Sequence, residues 1–278
     1  MSDTLTILTS LDKPCTKSFE LKNTELVAID TRKPFQFSVT QESINSLVDL
    51  SRVLAKFQGD SQSSVIRGEP NAELPIQRTR RLKECFGPAS RQWCLIDIDD
   101  LPIPEGLEDL GTQLPNLVQT AVNNLPKEFQ HADCWYQFSS SMGIKRDKIR
   151  IHLWFWLSRK VSDGEMKTWL DGSPADLRLF HPVQMHYVAK PIFVGDAVDP
   201  LPVRSGQYAA DDGSSTVTVP DDLVGRTLLR SSRPRYVREG GHVESQDVIR
   251  NPDTWLAIDG RERLLFDLSN EVTVELVR

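Results

Sequence analysis

The spacing of apolar positions changes several times along the chain, and each change predicts an element. Two short apolar runs, Leu5 to Leu8 and Leu26 to Ile29, fit strands. Thr40 suits a helix N-cap, and behind it Ile44, Leu47, Val48, Leu54 and Phe57 recur at helical spacing, predicting a helix over 41–57. Gly59 and the polar run 60–64 end it and lead into a strand at Val65-Ile66. Residues 68–92 mix Gly and Pro with the basic run Arg78, Arg80, Arg81 and Lys83, and read as a solvated loop or helix edge. A strand from Trp93 to Asp99 follows, stopped by Pro102 and Pro104, and 114–123 suits a helix between Pro115 and Pro126. Cys134 to Ser139 and Lys148 to Leu157 read as strands on either side of a Ser/Gly turn, Ser139 to Gly143. Ser162 caps a short helix, Asp163 to Leu170; Gln184 to Val194 is extended, and Thr216 to Val219 briefly so. The remainder, 220–278, predicts one or two helices and a terminal strand, Val272 to Val277.

Strands mixed with helices and hairpins, without a strict β-α-β alternation, predict an α+β fold. Its expected form is a mixed or antiparallel central sheet flanked by helices, with an N-terminal α/β portion. No Gly-Ser linker divides the chain, so one domain over 1–219 with a C-terminal extension, 220–278, is the simplest division. Neither G-x-G-x-x-G nor G-x-x-x-x-G-K-[ST] occurs, which removes dinucleotide and P-loop readings. At 278 residues, 39% hydrophobic and 26% charged, the composition is that of an ordinary globular protein. No apolar run reaches the ~18 residues of a membrane helix, and the N-terminus lacks a secretory pattern. Four scattered cysteines do not make a disulfide scaffold, so a cytoplasmic protein without membrane contact is expected. A net charge of -6 argues against histone-like binding of nucleic acid through bulk charge but leaves room for local basic faces.

The candidate chemistry starts at Leu95-Ile96-Asp97-Ile98-Asp99-Asp100. On a strand Asp97 and Asp99 share one face, with Cβ atoms roughly 6.5–7 Å apart, close enough to share a pair of hard cations. Bound Mg²⁺ or Mn²⁺ would offset their repulsion, whereas a plain strand-end pair would cap the next loop. A lone D-x-D occurs in glycosyltransferases, nucleases and polymerases alike. In the run from Ile149 to Leu157, alternation puts Ile149, Ile151, Leu153, Phe155 and Leu157 on a core face. Arg150, His152, Trp154 and Trp156 then point the other way. Arg150 with His152 makes a donor pair for phosphate oxygens, or a polar pair under two tryptophans. The extended segment after Gln184 ends at Asp196, then Asp199-Pro200 and Arg204, where a third carboxylate or a simple turn opener stands.

Taken together, the order hydrophobic-Asp-hydrophobic-Asp, then x-His on a strand, then hydrophobic-Asp resembles the archaeo-eukaryotic primase superfamily. The Ser-Ser-Ser-Met-Gly turn ahead of Ile149-Arg150-Ile151-His152 and the Gln184 to Arg204 segment resemble the primase-polymerase domain of phage, plasmid and prophage replication proteins. The resemblance covers about 60–210 and implies a central sheet of the type seen in RNA-recognition motifs. It implies that Asp97, Asp99 and Asp199, with Asp196 as the alternative to Asp199, hold two Mg²⁺ or Mn²⁺ ions. It implies that His152, Arg150, Ser141 and Arg204 hold the incoming nucleotide. Where the family has a small polar residue two before the His, this chain has Arg150. The implied activity is a DNA primase or polymerase that starts or extends primers on single-stranded DNA from nucleoside triphosphates. Two-metal phosphoryl transfer needs only such carboxylates and phosphate donors. A helicase is an expected partner, in cis beyond Arg278 or in trans.

Lys145, Arg146, Lys148 and Arg150 form a basic cluster beside this site. Arg78, Arg80, Arg81 and Lys83 form another, and Arg226, Arg230, Arg233, Arg235 and Arg238 a third, for salt-dependent contact with template phosphates. Trp154 and Trp156 either stack a base or pack under a helix. Cys85, Cys94, His131 and Cys134 could supply four zinc ligands, with His131-x-x-Cys134 the tightest pair. Without a C-x-x-C pair, and with Cys94 on the core parity of Ile96 and Ile98, zinc is not expected. The rivals are a metal-dependent nuclease and an origin- or single-strand-binding module that has lost catalysis. A rolling-circle nicking enzyme is disfavoured because no His-x-His occurs.

Overall fold

In a computed structural model the described residues are 2–29, 33–72, 74, 78–145, 147–211 and 213–232. They fall into one unit, Met1–Val224, and the beginning of a second, Gly225–Arg278. The first half of the chain holds β1 (Asp3–Ser10), β2 (Ser18–Lys22), β3 (Glu25–Ile29), β4 (Phe37–Ile44), α1 (Leu47–Phe57), β5 (Ser63–Ile66), β6 (Glu69–Pro70), β7 (Phe86–Gly87) and β8 (Arg91–Pro102). Then come α2 (Leu114–Asn123), α3 (Lys127–Gln130), β9 (Cys134–Phe138), β10 (Lys148–Val161), α4 (Asp163–Trp169), β11 (His186–Tyr187), β12 (Ile192–Val194), β13 (Ser205–Tyr208) and α5 (Leu223–Ser232). The fold is α+β, with an antiparallel sheet ordered β13-β9-β10-β8 and a second ordered β11-β5-β1-β4. A smaller sheet, β12-β2-β3, pairs β12 with β2 in parallel.

Alternation along β8 and β10 builds a core on each face of the first sheet. Cys94, Ile96, Ile98, Ile151, Leu153 and Phe155 meet Leu117, Val118, Ala121 and Val122 of α2, Phe129 of α3 and Met166 of α4. On the other face Trp93, Leu95, Trp135, Trp154 and Trp156 meet Leu5 and Ile7 of β1, Leu50, Val53 and Leu54 of α1, and Val65 of β5. Each fully buried Leu, Ile or Phe stabilises this arrangement by about 1.5–3 kcal/mol.

Several elements differ from the sequence pattern, among them 68–92: in place of a solvated loop or helix edge it holds the paired β6 and β7 and the start of β8, with Thr79, Phe86, Arg91 and Gln92 buried. The helix expected over 41–57 begins only at Leu47, because residues 37–44 pair along their whole length with β1, from Ser10↔Phe37 to Asp3↔Ile44. Its cap is Ser46, whose hydroxyl accepts from the Asp49 N–H, while Asp49 accepts from the Asn45 N–H. Val48 is 67% exposed and outside the buried stripe. The Gln184–Val194 run divides into β11, added to the edge of the second sheet, and β12, added to the third. Strands β2 and β13 were not among the expected elements; β2 pairs with β3 and β12, and β13 with β9. Elsewhere pattern and structure agree closely: α2 spans 114–123 with a proline in its first turn, and Ser162 and Glu165 close a capping box on α4. The terminal strand expected at Val272 to Val277 lies outside the described residues. Among the described residues no helix is long and apolar enough to cross a membrane.

Candidate functional site

The first sheet brings four chain segments to one end: the end of β8, the start of β10, the end of β9 and the start of β13. Alternation on β8 carries Asp97 onto the face of Trp93 and Leu95, and on β10 His152 lies directly opposite it. His152 Nε2 stands 3.4 Å from Asp97 Oδ1, an ion pair when the imidazole is protonated and long for a hydrogen bond. Just beyond, the register steps from Ile151↔Ile98 to Ile149↔Leu101, so Asp99 and Asp100 together oppose Arg150 in a β-bulge. Asp99 is exposed there, and Asp100 pairs with Lys148 at 2.7 Å.

Asp97 is the electrostatic focus. Its Oδ1 is buried without a hydrogen-bond partner among the described residues, and so is Nδ1 of His152. Burial holds the Asp97 carboxyl above the usual carboxylate range; His152 and Lys17 pull it down, while Asp99 and Asp176 push it up. Neither Asp176 nor Lys17 was visible from sequence. The N–H of Asp176 donates to the Asp97 carbonyl at 2.9 Å, and its carboxylate accepts from the Arg178 N–H at the start of a short 3-10 turn, Leu177–Leu179. That sequence carries only the mark of a cap. Lys17 comes from the loop before β2 and has no motif around it. His186 of β11 was likewise missed: it is 1% exposed and edge-on to Trp93 and Trp154, with ring centroids 6.1 and 6.0 Å away. Burial holds its imidazole well below the ordinary histidine range, hence neutral, and neither ring nitrogen has a partner among the described residues.

A second constellation forms around Arg204, which is 3% exposed. Its Nε and Nη2 each donate to Asp199 at 2.7 Å, Nη1 to the Ser139 carbonyl at 2.9 Å and Nη2 to that of Met142 at 3.3 Å. Both Asp199 oxygens are thus engaged by a guanidinium, and Oδ1 also accepts from the Leu201 N–H. This network pins the Ser/Gly turn, in which the Ser139 and Ser141 hydroxyls lie 3.3 Å apart and Gly143 takes a positive φ of 84°. Asp196 is exposed in the turn after β12. Arg150 is 9% exposed, with Nη1 at 3.3 Å from the carbonyls of Lys145 and Lys148 and from Asp147. Trp154 and Trp156 are buried in the core between the two sheets, so the base-stacking alternative for them does not hold.

Of the residues expected to meet DNA, Lys145 is exposed and Arg80 lies over the Phe35 ring at 4.4 Å. Arg81 donates to the Val183 carbonyl, and Arg78 adopts a positive φ of 60°. Arg146, Arg233, Arg235 and Arg238 lie outside the described residues, as does the side chain of Arg230. Cys94 and Cys134 sit in the apolar core; burial pushes the Cys94 thiol up to about 12 and holds Cys134 well above its usual value. Among the described residues no three His, Cys, Asp or Glu side chains stand close enough together to form a metal-holding group.

No family model matches the chain, and no solved structure matches it. The sequence is similar to a protein of Escherichia phage T5 described as "Putative replication origin binding protein", 28% identical over 212 residues. The matched stretch is 69% of this chain and 22% of the phage protein, so the chain spans well under a third of that relative's length.

Proposed function

We propose that this chain is a replication protein of a mobile element, carrying a nucleotidyl-transfer site of the archaeo-eukaryotic primase kind at Asp97, Asp99 and His152. The observation that carries the reading is the cross-strand opposition of Asp97 and His152, with an unpartnered buried carboxylate oxygen between them and Asp99 on the same strand face. The phage relative's description adds a replication context. Asp97 and Asp99 offer carboxylate oxygens, the chemistry that suits Mg²⁺ or Mn²⁺, and Asp176 adds negative charge to their surroundings without completing a three-ligand group among the described residues. Asp97 and Asp99 would hold the metal. Its charge would then favour ionisation of an attacking 3′-hydroxyl and departure of pyrophosphate. Asp199, already claimed by Arg204, has the smaller part in this reading: it shapes the turn that presents Ser141. Arg150 and Ser141 donate to nucleotide phosphates, and Lys145, Arg78, Arg80 and Arg81 follow the single-stranded template. A helicase supplied in cis or in trans fits a relative several times as long.

The test is primer synthesis on unprimed single-stranded DNA with labelled nucleotides, Mg²⁺ against Mn²⁺, with an Asp97→Ala/Asp99→Ala variant alongside. Products that require metal and both aspartates support the reading; shortened template in their place means a nuclease. A second reading, an origin- or single-strand-binding module without catalysis, is favoured by the bidentate capture of Asp199 and by the phage relative's description. DNA binding that persists in the double variant, with no synthesis by the parent chain, selects it.

A further inference from the structure

The first unit holds a cavity of about 190 Å³ that no part of the motif reading uses. Its lining comes from three loops and a strand: Pro14 to Lys17 before β2, Lys33 and Pro34 before β4, Ser140 of the Ser/Gly turn, and Tyr187 of β11. The cavity is joined to the candidate site through Ala189, whose carbonyl accepts from both the Thr16 hydroxyl and the Gln137 amide, Gln137 lying opposite His152 on the neighbouring strand. The Lys17 ammonium also pulls the Asp97 carboxyl down. The Lys17 backbone is fixed by the Ile192 N–H, which donates to its carbonyl at 3.0 Å, so the side chain starts from a set position.

The lining supplies donors and positive charge without a carboxylate. Lys17 and Lys33 are exposed and form no ion pair among the described residues, unlike Lys22, Lys56, Lys148 and Lys160. The Thr16 hydroxyl, 7% exposed, lies 3.4 Å from both the Ser140 hydroxyl and the Ala189 carbonyl, at the outer limit of hydrogen bonding. Both contacts are long enough to be exchanged for a better acceptor. Tyr187 is 38% exposed at the rim, and burial raises its phenol so that it stays a donor. Cys15 is neutral, its thiol pushed up to about 11 by burial. Two ammoniums and three hydroxyls around one hollow are complementary to a phosphate chain. The volume is below the about 300–1,000 Å³ of pockets that enclose a whole drug-sized ligand, which favours a polyphosphate tail over a complete nucleotide.

We propose that Lys17, Lys33, Thr16 and Ser140 form a subsite for the phosphate tail of a nucleoside triphosphate whose reacting end lies at Asp97 and Asp99. This rests on the nucleotidyl-transfer reading. Inorganic tripolyphosphate and dATP, titrated by calorimetry into the full chain, are the probes, with a single-stranded 20-mer as the third arm. Lys17→Ala/Lys33→Ala should weaken both phosphate probes about tenfold or more and leave the 20-mer within about twofold. Lys17→Arg/Lys33→Arg should retain most of the affinity, and Lys56→Ala, which removes a paired lysine on α1, should change neither arm. An unchanged melting temperature rules out misfolding as the cause. No tripolyphosphate binding by the parent chain, no loss in the double alanine variant, or a loss confined to the 20-mer each overturns the subsite; the last assigns the lysines to the DNA backbone. Lysine-dependent tripolyphosphate binding without primer synthesis would keep the subsite and discard the polymerase. Synthesis with an unchanged KM for dATP in the double variant would do the reverse.

Discussion

Asp199 is where the sequence pattern and the coordinates pull hardest against each other, and its replacement by alanine separates a metal ligand from a structural pin. Arg204 is buried to 2% side-chain exposure and Asp199 to 31%. Asp199→Ala removes two charge-assisted bonds of 2.7 Å and leaves the guanidinium, among the described residues, with the Ser139 and Met142 carbonyls and the face of Phe193. Stripping the partner from a buried charge costs about 3–5 kcal/mol, and water reaching through the partly exposed Asp199 position favours the lower end, about 3 kcal/mol. For a unit of this size that is a fall in Tm of about 6–12 °C. Asp99→Ala, at an exposed position of the bulge, should stay within about 0.5 kcal/mol of the parent. Thermal melting followed by circular dichroism at neutral pH, with and without Mg²⁺, measures both. A change of less than about 2 °C for Asp199→Ala would refute the pin. So would a rise in Tm, or a Mg²⁺-dependent stabilisation of the parent chain that this variant alone loses.

Asp97→Asn should move the other way. The folded-state pKa of Asp97 is raised, so the folded chain holds this proton more tightly than the unfolded chain does. The stability it lends is complete below the ordinary carboxylate pKa and is lost as pH rises through the raised value. The variant should therefore melt near the parent at acid pH and above it at neutral pH, and a gap that shrinks as pH rises would contradict this. Thiol labelling of the native chain should modify Cys85, which is half-buried, and spare Cys15, Cys94 and Cys134, which are buried with raised pKa values; mass spectrometry after a maleimide pulse counts the adducts.

What could be read in advance follows from the distances over which each signal acts. The strands β8 and β10 are long and alternate cleanly, so the faces of Asp97, His152, Cys94 and the core residues were legible without any partner in view. The start of α1 was not. Ile44, Leu47 and Val48 satisfy helical spacing locally, and only the eight-residue pairing of β4 with β1 reassigns Ile44 to a strand. The site divides the same way. Asp97, Asp99 and His152 each lie on one strand, whereas Asp176, Lys17 and His186 reach it through contacts that no spacing encodes. At Asp199 spacing could not tell the two roles apart, because Asp-Pro followed by Arg204 has the outline of a metal-site loop. The same five-residue separation lets the arginine fold back and take both oxygens of the aspartate.

The partners of the buried carboxylates give a criterion that spacing lacks. Asp3, 2% exposed, accepts from the Thr4 and Gln92 N–H groups and from Arg91, and Lys160 stands 3.7 Å away. Asp163 pairs with the buried Arg67 at 2.7 Å, and Asp199 with Arg204. In each case a carboxylate is matched to an arginine that is itself buried, the arrangement in which two desolvated charges tolerate one another. Asp97 is different: it faces a histidine at 3.4 Å and has Asp99 and Asp176 as neighbours. An oxygen without a donor is a feature it shares with Asp163, whose Oδ2 has none among the described residues. A fold that supplies an arginine to each of the other three, and none here, carries this charge at a cost in stability. Such a cost persists where function requires it. The lack of an arginine partner among the described residues, with two carboxylates as neighbours, is what separates Asp97 from Asp3, Asp163 and Asp199.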